Sequence, residues 1–178
     1  QEINNLEQEA LDELRTEIGF LFQGSALYDS MSVRENLEFP LRRHTKKFGV
    51  IEDTTPLVME ALESVGLAHA IDLMPNELSG GMKRRIALAR TLILKPKIIL
   101  YDEPTTGLDP ITSKEIVLLM NSIQKQYNTS SIIITHDVDC AKVIANRMIL
   151  LIDGINYIEG TFDELASSND PKVQAFFK

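Results

Sequence analysis

Four apolar residues at positions 98–101 lead directly into two adjacent carboxylates, Asp102 and Glu103. The apolar run follows Lys95-Pro96, which ends the preceding helical pattern. A short apolar run of this kind indicates a buried parallel strand that carries acids at its C-terminal end. Ligands of open α/β sheets bind at that edge. We therefore expect an α/β fold with a functional site at the carboxyl edge of its sheet.

A second cluster, Leu78-Ser79-Gly80-Gly81, lies one helix length before the acidic pair. Ser79 is a good N-cap, and the two glycines would let a ligand approach the backbone closely. Apolar residues follow at helical spacing from Met82. The unpaired N–H groups and the positive dipole end of such a helix stabilise an anion, so the cluster predicts a phosphate-binding helix start.

Three basic residues, Lys83, Arg84 and Arg85, come next in the same helix. Two interpretations remain open for them: they help to hold a phosphate near the helix start, or they form the solvent face of the helix.

Composition limits the class of function. The chain has 178 residues with 44% hydrophobic and 25% charged residues, which is typical of one globular domain. Its net charge of −8 argues against a nucleic-acid partner, although a polyphosphate held by backbone groups and a metal remains compatible with it. The single cysteine, Cys140, permits no internal disulfide and is expected to be a buried thiol in a reducing cytosol. No apolar run reaches the length of a membrane span, so any membrane role is expected to come through a partner.

Five motifs in the correct order resemble those of the ABC ATPases. They are the Q-loop at Phe22-Gln23, the signature at Leu78-Ser79-Gly80-Gly81, the Walker B strand at Ile98 to Asp102 followed by Glu103, the D-loop at Gly107-Leu108-Asp109, and the switch-histidine segment at Ile132 to Asp137. Each motif alone would be weak, because Ser-Gly-Gly is a common helix cap and Asp-Glu a common solvated pair. Together, and in this order along the chain, the five motifs identify the sequence as similar to this family.

The resemblance implies ATP and Mg²⁺ as ligands, catalytic roles for Glu103, His136 and Gln23, and a metal site at Asp102 and Gln23. Asp102 would hold Mg²⁺ through water, and Gln23 would complete the metal shell and sense the γ-phosphate. Glu103 would polarise the attacking water, and His136 would hold the γ-phosphate. Positioning and charge stabilisation carry most of this chemistry, because phosphoryl transfer needs little covalent help from the protein.

The same resemblance implies that two copies of the chain act together as a homodimer. Ser79, Gly80 and Gly81 would bind the γ-phosphate of a nucleotide held mainly by the partner ATPase subunit. Asp109 would couple the two sites.

The stretch from Gln23 to Leu41 resembles more narrowly the ATPases of lipid-handling ABC systems related to Mla and mammalian-cell-entry proteins. It implies that region 24–41, a polar loop followed by a short helix at Val33 to Leu37, contacts a membrane permease; an ordinary surface loop is the alternative. The protein would then be cytoplasmic and peripheral on the inner face of the membrane. The basic run at 42–47 is expected to be a solvated face rather than a lipid contact.

The largest departure from the family pattern is that no Gly-x-x-x-x-Gly-Lys-Ser/Thr sequence occurs. We interpret the chain as an N-terminally truncated piece that lacks the N-terminal β lobe and the Walker A strand, and we expect it to be inactive alone. The alternative is a natural protein that never had the loop.

The resemblance implies a P-loop NTPase three-layer α/β fold with a helical subdomain. The whole chain, 1–178, would be a partial ABC ATPase domain, in which strands are expected at 18–22, 98–101, 131–135 and 147–152. Residues 1–24 and 95–160 would form the RecA-like core, 25–94 the helical subdomain with the signature helix, and 161–178 a C-terminal tail.

Local patterns predict three further features. Gly66 is expected to end one helix, and Leu67 to Met74 are expected to form a second short helix. Asp153-Gly154 predicts a hairpin turn that joins the strand at 147–152, expected to be buried, to a partner strand at Ile155 to Ile158. Thr161-Phe162-Asp163-Glu164 predicts a capping box that opens a short helix.

Three functions are compatible with these observations. The leading one is the ATPase subunit of an ABC transporter of phospholipids or other hydrophobic compounds. The second is a regulatory or binding module that donates its signature helix to a partner ATPase. The third is a soluble, non-transport ABC protein, which the single-domain length, the acidity and the absence of coiled-coil heptads make less favourable.

Overall fold

The structure is a computed structural model that describes residues 3–177, apart from the side chains of residues 46 and 47. The predicted exposure of those two lysines therefore lies outside the described residues. The chain divides into two compact units, Gln1–Ile134 and Thr135–Lys178, and each is described by itself.

The first unit contains six α-helices and three strands among its described residues. In chain order they are α1 Gln8–Glu17, β1 Ile18–Leu21, α2 Val33–Arg43, α3 Thr45–Phe48, α4 Thr55–Ser64, α5 Gly80–Leu92, β2 Ile98–Asp102, α6 Pro110–Tyr127 and β3 Ser130–Ile134, with 3-10 turns at Ile3–Asn5, Ala68–Ala70 and Pro75–Glu77. The strands predicted at 18–22, 98–101 and 131–135 are confirmed to within a residue at each end.

The three strands form a parallel sheet in the order β1-β2-β3. One face of the sheet is closed, because Leu21, Ile99 and Tyr101 are almost fully buried. A Cβ on Gly19 would lie 2.4 Å from Thr91 Cγ2, so β1 needs a glycine there to pack against α5. The carboxyl ends of all three strands consequently lie at one edge, where the sequence predicted the site.

Helix α2 is longer than the short helix predicted at 33–37. It starts at a capping box in which Ser32 Oγ accepts from the Glu35 N–H and Glu35 accepts from the Ser32 N–H. Burial of Val33, Leu37 and Leu41 at four-residue spacing continues the helix through Pro40.

The second short helix predicted at 67–74 is wrong. Gly66, with φ of +71°, ends α4 as expected, but only the 3-10 turn Ala68–Ala70 follows. The carbonyls of Ile71 and Leu73 accept hydrogen bonds of 2.9 Å from the N–H groups of Arg34 and Val33. Those carbonyls thus satisfy the first turn of α2 instead of continuing a helix of their own.

The second unit contains α7 Val138–Ile144, β4 Met148–Ile152, β5 Ile155–Gly160, α8 Phe162–Ala166 and α9 Pro171–Gln174. The predicted hairpin is confirmed: Asp153 and Gly154, both at positive φ, connect β4 to the antiparallel β5. The capping box at Thr161 and the burial of Cys140 are confirmed as well.

Strand β4 corrects the prediction of a buried strand in the main sheet at 147–152. Among the described residues it hydrogen-bonds only to β5, and of its apolar residues only Leu150 is buried, whereas Ile149 is 53% and Leu151 65% exposed. Only one face of this two-stranded hairpin is packed against other residues of its unit, so every second side chain of β4 remains exposed to solvent. Leu150 packs in a small core with Leu165 and Val173.

Among residues 3–177, no helix combines the length and the apolar character needed to cross a membrane.

Candidate active site

The sheet edge brings together three of the predicted site residues. Asp102 ends β2 and Glu103 follows it. Leu21 of β1 lies opposite Tyr101 of β2, so Gln23 reaches the same edge as Glu103, each of them two residues further along its chain. All three side chains are exposed or half-buried and therefore accessible to a ligand.

Glu103 is held in an unusual backbone conformation. Its φ of +46° lies in the left-handed region, which is uncommon for residues other than glycine, asparagine and aspartate. The Glu103 N–H donates to the carbonyl of Ile134 in β3 at 2.9 Å, and the Thr106 hydroxyl donates to Glu103 Oε2 at 3.0 Å. The backbone and the carboxylate are thus both fixed, and such strained positions are concentrated at functional sites.

The loop that carries Gln23 is anchored by an arginine of α5. Arg90 donates to the carbonyls of Ser25 and Ala26 at 3.0 and 2.8 Å, and both of these residues have positive φ. The sequence predicted a polar loop here, and the structure shows that the guanidinium of Arg90 stabilises its unfavourable backbone conformation at Ser25 and Ala26.

The helix start at Ser79 is formed as predicted. Ser79 caps α5 by accepting from the Met82 N–H at 3.2 Å, and Ser79 and Gly80 are exposed. Of the three basic residues that follow, Arg84 fits neither open interpretation, whereas Lys83 and Arg85 are half-buried and both interpretations stay open for them. Arg84 is only 3% exposed, and Arg85 donates to Glu115 of α6 at 2.8 Å.

The two signature glycines have different packing environments. A Cβ on Gly81 would lie 2.7 Å from Thr112 Cγ2 in α6, closer than real Cβ contacts. A Cβ on Gly80 would lie 3.6 Å from Leu108 Cδ2, an ordinary van der Waals distance. The packing of α5 against α6 therefore requires a glycine at 81 before any ligand is considered.

We expect Gly81→Ala to destabilise this chain by about 1–3 kcal/mol, because Thr112 and the start of α6 must move to admit the new methyl group. Gly80→Ala is the matched control. It adds the same methyl group one residue earlier without a clash, and alanine's better helix propensity should make it neutral or slightly stabilising. Urea denaturation of the two variants measures the difference. Equal free energies of unfolding would contradict this packing argument.

Asp109 caps α6. Its carboxylate accepts from the N–H groups of Ile111 and Thr112 at 3.0 Å each and from the Thr112 hydroxyl at 2.5 Å. The hydrogen bond from the Thr112 side chain is the main reason that the pKa of Asp109 is below its usual value. This capping is a structural reason for an aspartate at position 109. The predicted role of Asp109 in coupling two sites stays a prediction.

His136 belongs to the second unit, two residues beyond the end of β3, and its side chain is exposed. Asp137 follows it and caps α7 by accepting from the Cys140 N–H at 2.9 Å. The predicted contact of His136 with a γ-phosphate stays a prediction.

No group of three or more His, Cys, Asp or Glu side chains in the described part of the chain could hold a metal by itself. The predicted metal ligands, Asp102 and Gln23, would supply two oxygen donors at the sheet edge.

Region 24–41 borders an aromatic groove of about 270 Å³ beside β1. Tyr28 packs on Phe39 with ring centroids 4.8 Å apart, and Phe20 packs on Phe22 at 4.3 Å. Arg90 lies over the Tyr28 ring at 5.8 Å. The groove is open and largely apolar, which suits a docking surface for another polypeptide.

The sequence did not reveal Asn36, which shapes this region. Asn36 is fully buried; its Oδ1 accepts from the Tyr28 N–H, and its Nδ2 donates to the carbonyls of Tyr28, Met31 and Ser32. An asparagine on the inner face of an amphipathic helix was the only signal available.

Comparison with known proteins identifies related sequences. A profile described as "ABC transporter" matches residues 1–106. The "Intermembrane phospholipid transport system ATP-binding protein MlaF" of Haemophilus influenzae is 41% identical over 179 residues, covering all of this chain and 67% of that protein. The "Probable ribonucleotide transport ATP-binding protein mkl" of Mycobacterium leprae is 40% identical over 166 residues, covering 93% of this chain and 47% of that protein. The chain thus spans between about half and two thirds of the length of these relatives.

Solved structures give the same result. The "Dimeric structure of a post-hydrolysis state of the ATP-binding cassette MJ0796 bound to ADP and Pi" superposes with a TM-score of 0.76 and 32% identity, covering 89% of this chain and 69% of that one. The expected P-loop NTPase fold is confirmed by this similarity. With 41% identity across the whole chain to one ATP-binding subunit, this protein belongs to the ABC transporter ATP-binding family.

Proposed function

We propose that this chain is part of the ATP-hydrolysing subunit of an ABC transporter of phospholipids or other hydrophobic compounds. The observation that carries the proposal is the convergence of Asp102, Glu103 and Gln23 at one edge of the parallel sheet. Glu103, held there in a strained backbone conformation, is the residue we assign to the chemistry.

The donor atoms at this edge fit the two ligands that the family implies. Asp102 and Gln23 offer carboxylate and amide oxygens, the hard donors that Mg²⁺ prefers. The capped start of α5 offers backbone N–H groups to a phosphate. Bound Mg²⁺ would neutralise the charge that develops on the phosphate oxygens.

Each residue then has a distinct task. Asp102 and Gln23 would hold the metal, directly or through water. Glu103 would accept a proton from the attacking water, with its orientation fixed by the Thr106 hydroxyl. His136 would contact the γ-phosphate.

A second ATPase subunit, in a homodimer, would complete the site. Ser79, Gly80 and Gly81 would face a nucleotide held mainly by the other subunit, and Asp109 would connect the two sites. The dimeric ATP-binding cassettes among the structural relatives support this arrangement.

The aromatic groove beside region 24–41 would receive a cytoplasmic helix of the permease, which would place the protein peripherally on the cytoplasmic face of the membrane. The phospholipid transport named for the Haemophilus relative supports a lipid substrate. ATPase activity measured with the cognate permease in vesicles, with and without phospholipid, tests the substrate class. Stimulation by a ribonucleotide instead of a phospholipid would contradict it.

We expect the purified chain of residues 1–178 to show no detectable binding of Mg-ATP by calorimetric titration. Its sequence contains no Gly-x-x-x-x-Gly-Lys-Ser/Thr loop, whose amides and lysine contribute most phosphate contacts in P-loop proteins. The full-length protein that contains this chain should bind in the same buffer. Micromolar binding by residues 1–178 alone would show that they form a phosphate site without a P-loop.

A further inference from the structure

Arg84 is a buried cation for which the proposed chemistry has no use. It lies in the second turn of α5 and is 3% exposed. Its Nη1 donates to the carbonyl of Phe22 at 2.7 Å, and its Nη2 donates to the carbonyl of Thr106 at 3.3 Å. One guanidinium therefore links two segments that are 84 residues apart in the sequence.

The surroundings of Arg84 destabilise its charged form. No ion pair with a described carboxylate accompanies it, and burial alone lowers its pKa. Its Nε has no hydrogen-bond partner among the residues that the structure describes. A methionine of similar length would avoid this desolvation cost, so packing does not explain an arginine here. Polar groups that break a local rule in this way are expected at functional sites.

The two carbonyls belong to the two catalytic loops. Phe22 O is in the peptide group that includes the backbone nitrogen of Gln23, so holding this carbonyl orients Gln23. Thr106 is the residue whose hydroxyl donates to Glu103 Oε2. A continuous set of contacts therefore runs from Gln23 through Arg84 and Thr106 to the carboxylate of Glu103.

We propose that Arg84 is a positioning residue that fixes the loop of Gln23 against the loop that follows Glu103, and that it sets the rate of ATP hydrolysis rather than the affinity for ATP. The inference rests on the proposed function. It adds that the signature helix, expected to face the partner's nucleotide, is tied through Arg84 to the catalytic groups of its own chain.

The kinetic test uses the full-length protein that contains this chain. Arg84→Met keeps the length and removes the donors, and we expect kcat to fall at least about tenfold with KM for ATP within about twofold. Arg84→Lys, which offers one donor nitrogen where the guanidinium offers two to the carbonyls, should lie between Arg84→Met and the wild type. Lys95→Met is the charge control, because Lys95 follows the same helix but pairs with Glu60 of α4. Wild-type kcat in Arg84→Met would overturn the proposal.

A double-mutant cycle separates positioning from simple loss of stability. If Arg84 acts through Gln23, Arg84→Met combined with Gln23→Ala should lose much less activity than the product of the two single losses. Multiplicative losses would overturn the proposal.

A second measurement needs no ATP hydrolysis. Hydrogen exchange of residues 1–178 should be faster in Arg84→Met at the amides of Ser25 and Thr106, which donate to Phe22 O and Glu103 O, and unchanged there in Lys95→Met. Unchanged exchange at both amides in Arg84→Met would refute the link between the loops. A wild-type full-length protein without ATPase activity would refute the proposed function, and the exchange result would still report on Arg84 by itself.

Discussion

Glu103→Gln, in the ATPase subunit of which we propose this chain to be part, is expected to lower ATP turnover by at least about a hundredfold, the size of a general-base contribution. The amide keeps the shape of the side chain and can still accept the hydrogen bond from the Thr106 hydroxyl. It cannot take a proton from water. Steady-state phosphate release measures the turnover, and ATP affinity measured by titration should stay within about twofold of the wild type.

Glu60→Gln is the matched control for that experiment. It makes the same change on α4, where Glu60 pairs with Lys95 at the surface, and should leave turnover within about twofold because exposed ion pairs contribute little. Wild-type turnover in Glu103→Gln would remove Glu103 from the catalytic role. Equal losses in both variants would show that the effect is not specific to the sheet edge.

Asn36→Leu is expected to lower the free energy of unfolding by about 2–4 kcal/mol, although leucine is the more apolar residue. Asn36 is fully buried and makes four hydrogen bonds with the backbone of residues 28–32. Leucine cannot form these hydrogen bonds, so the backbone groups would be buried without a partner, although they are hydrogen-bonded to water in the unfolded chain. Urea denaturation of the purified chain, monitored by circular dichroism, gives the value.

Asn76→Leu provides the comparison for the Asn36 result. Asn76 is exposed in the 3-10 turn Pro75–Glu77, so its replacement should change the free energy of unfolding by no more than about 0.5 kcal/mol. A loss below about 1 kcal/mol for Asn36→Leu would mean that the hydrogen bonds of Asn36 are readily replaced by water.

The sequence predicted those parts of the fold that depend on local patterns. The strand at 98–102, the Ser79 cap and the hairpin at Asp153-Gly154 each follow from a few adjacent residues, and all three are confirmed. The predictions that failed depend on distant partners. The helix expected at 67–74 is absent because the carbonyls of Ile71 and Leu73 bond with α2, which no pattern within 67–74 records.

The candidate site divides in the same way. The residue types at the sheet edge were predicted because acids at the end of a buried strand have a direct chemical meaning. For Arg84 the sequence predicted either a phosphate contact or a position on the solvent face, and neither is found. Its partners are two backbone carbonyls. Every residue has a backbone carbonyl, so no residue type in the sequence indicates these partners. For this reason, a buried cation that forms hydrogen bonds only with the backbone cannot be predicted before the fold is known.

The left-handed backbone of Glu103 has a consequence for sequence design. A procedure that optimises stability at each position would choose glycine at 103, since glycine adopts φ of +46° without strain. The redesigned chain would be relieved of this backbone strain and would lack the carboxylate. A stability score calculated for each position would thus rank Glu103 as an unfavourable residue. Unfavourable scores of this kind can be used to find functional residues in other chains.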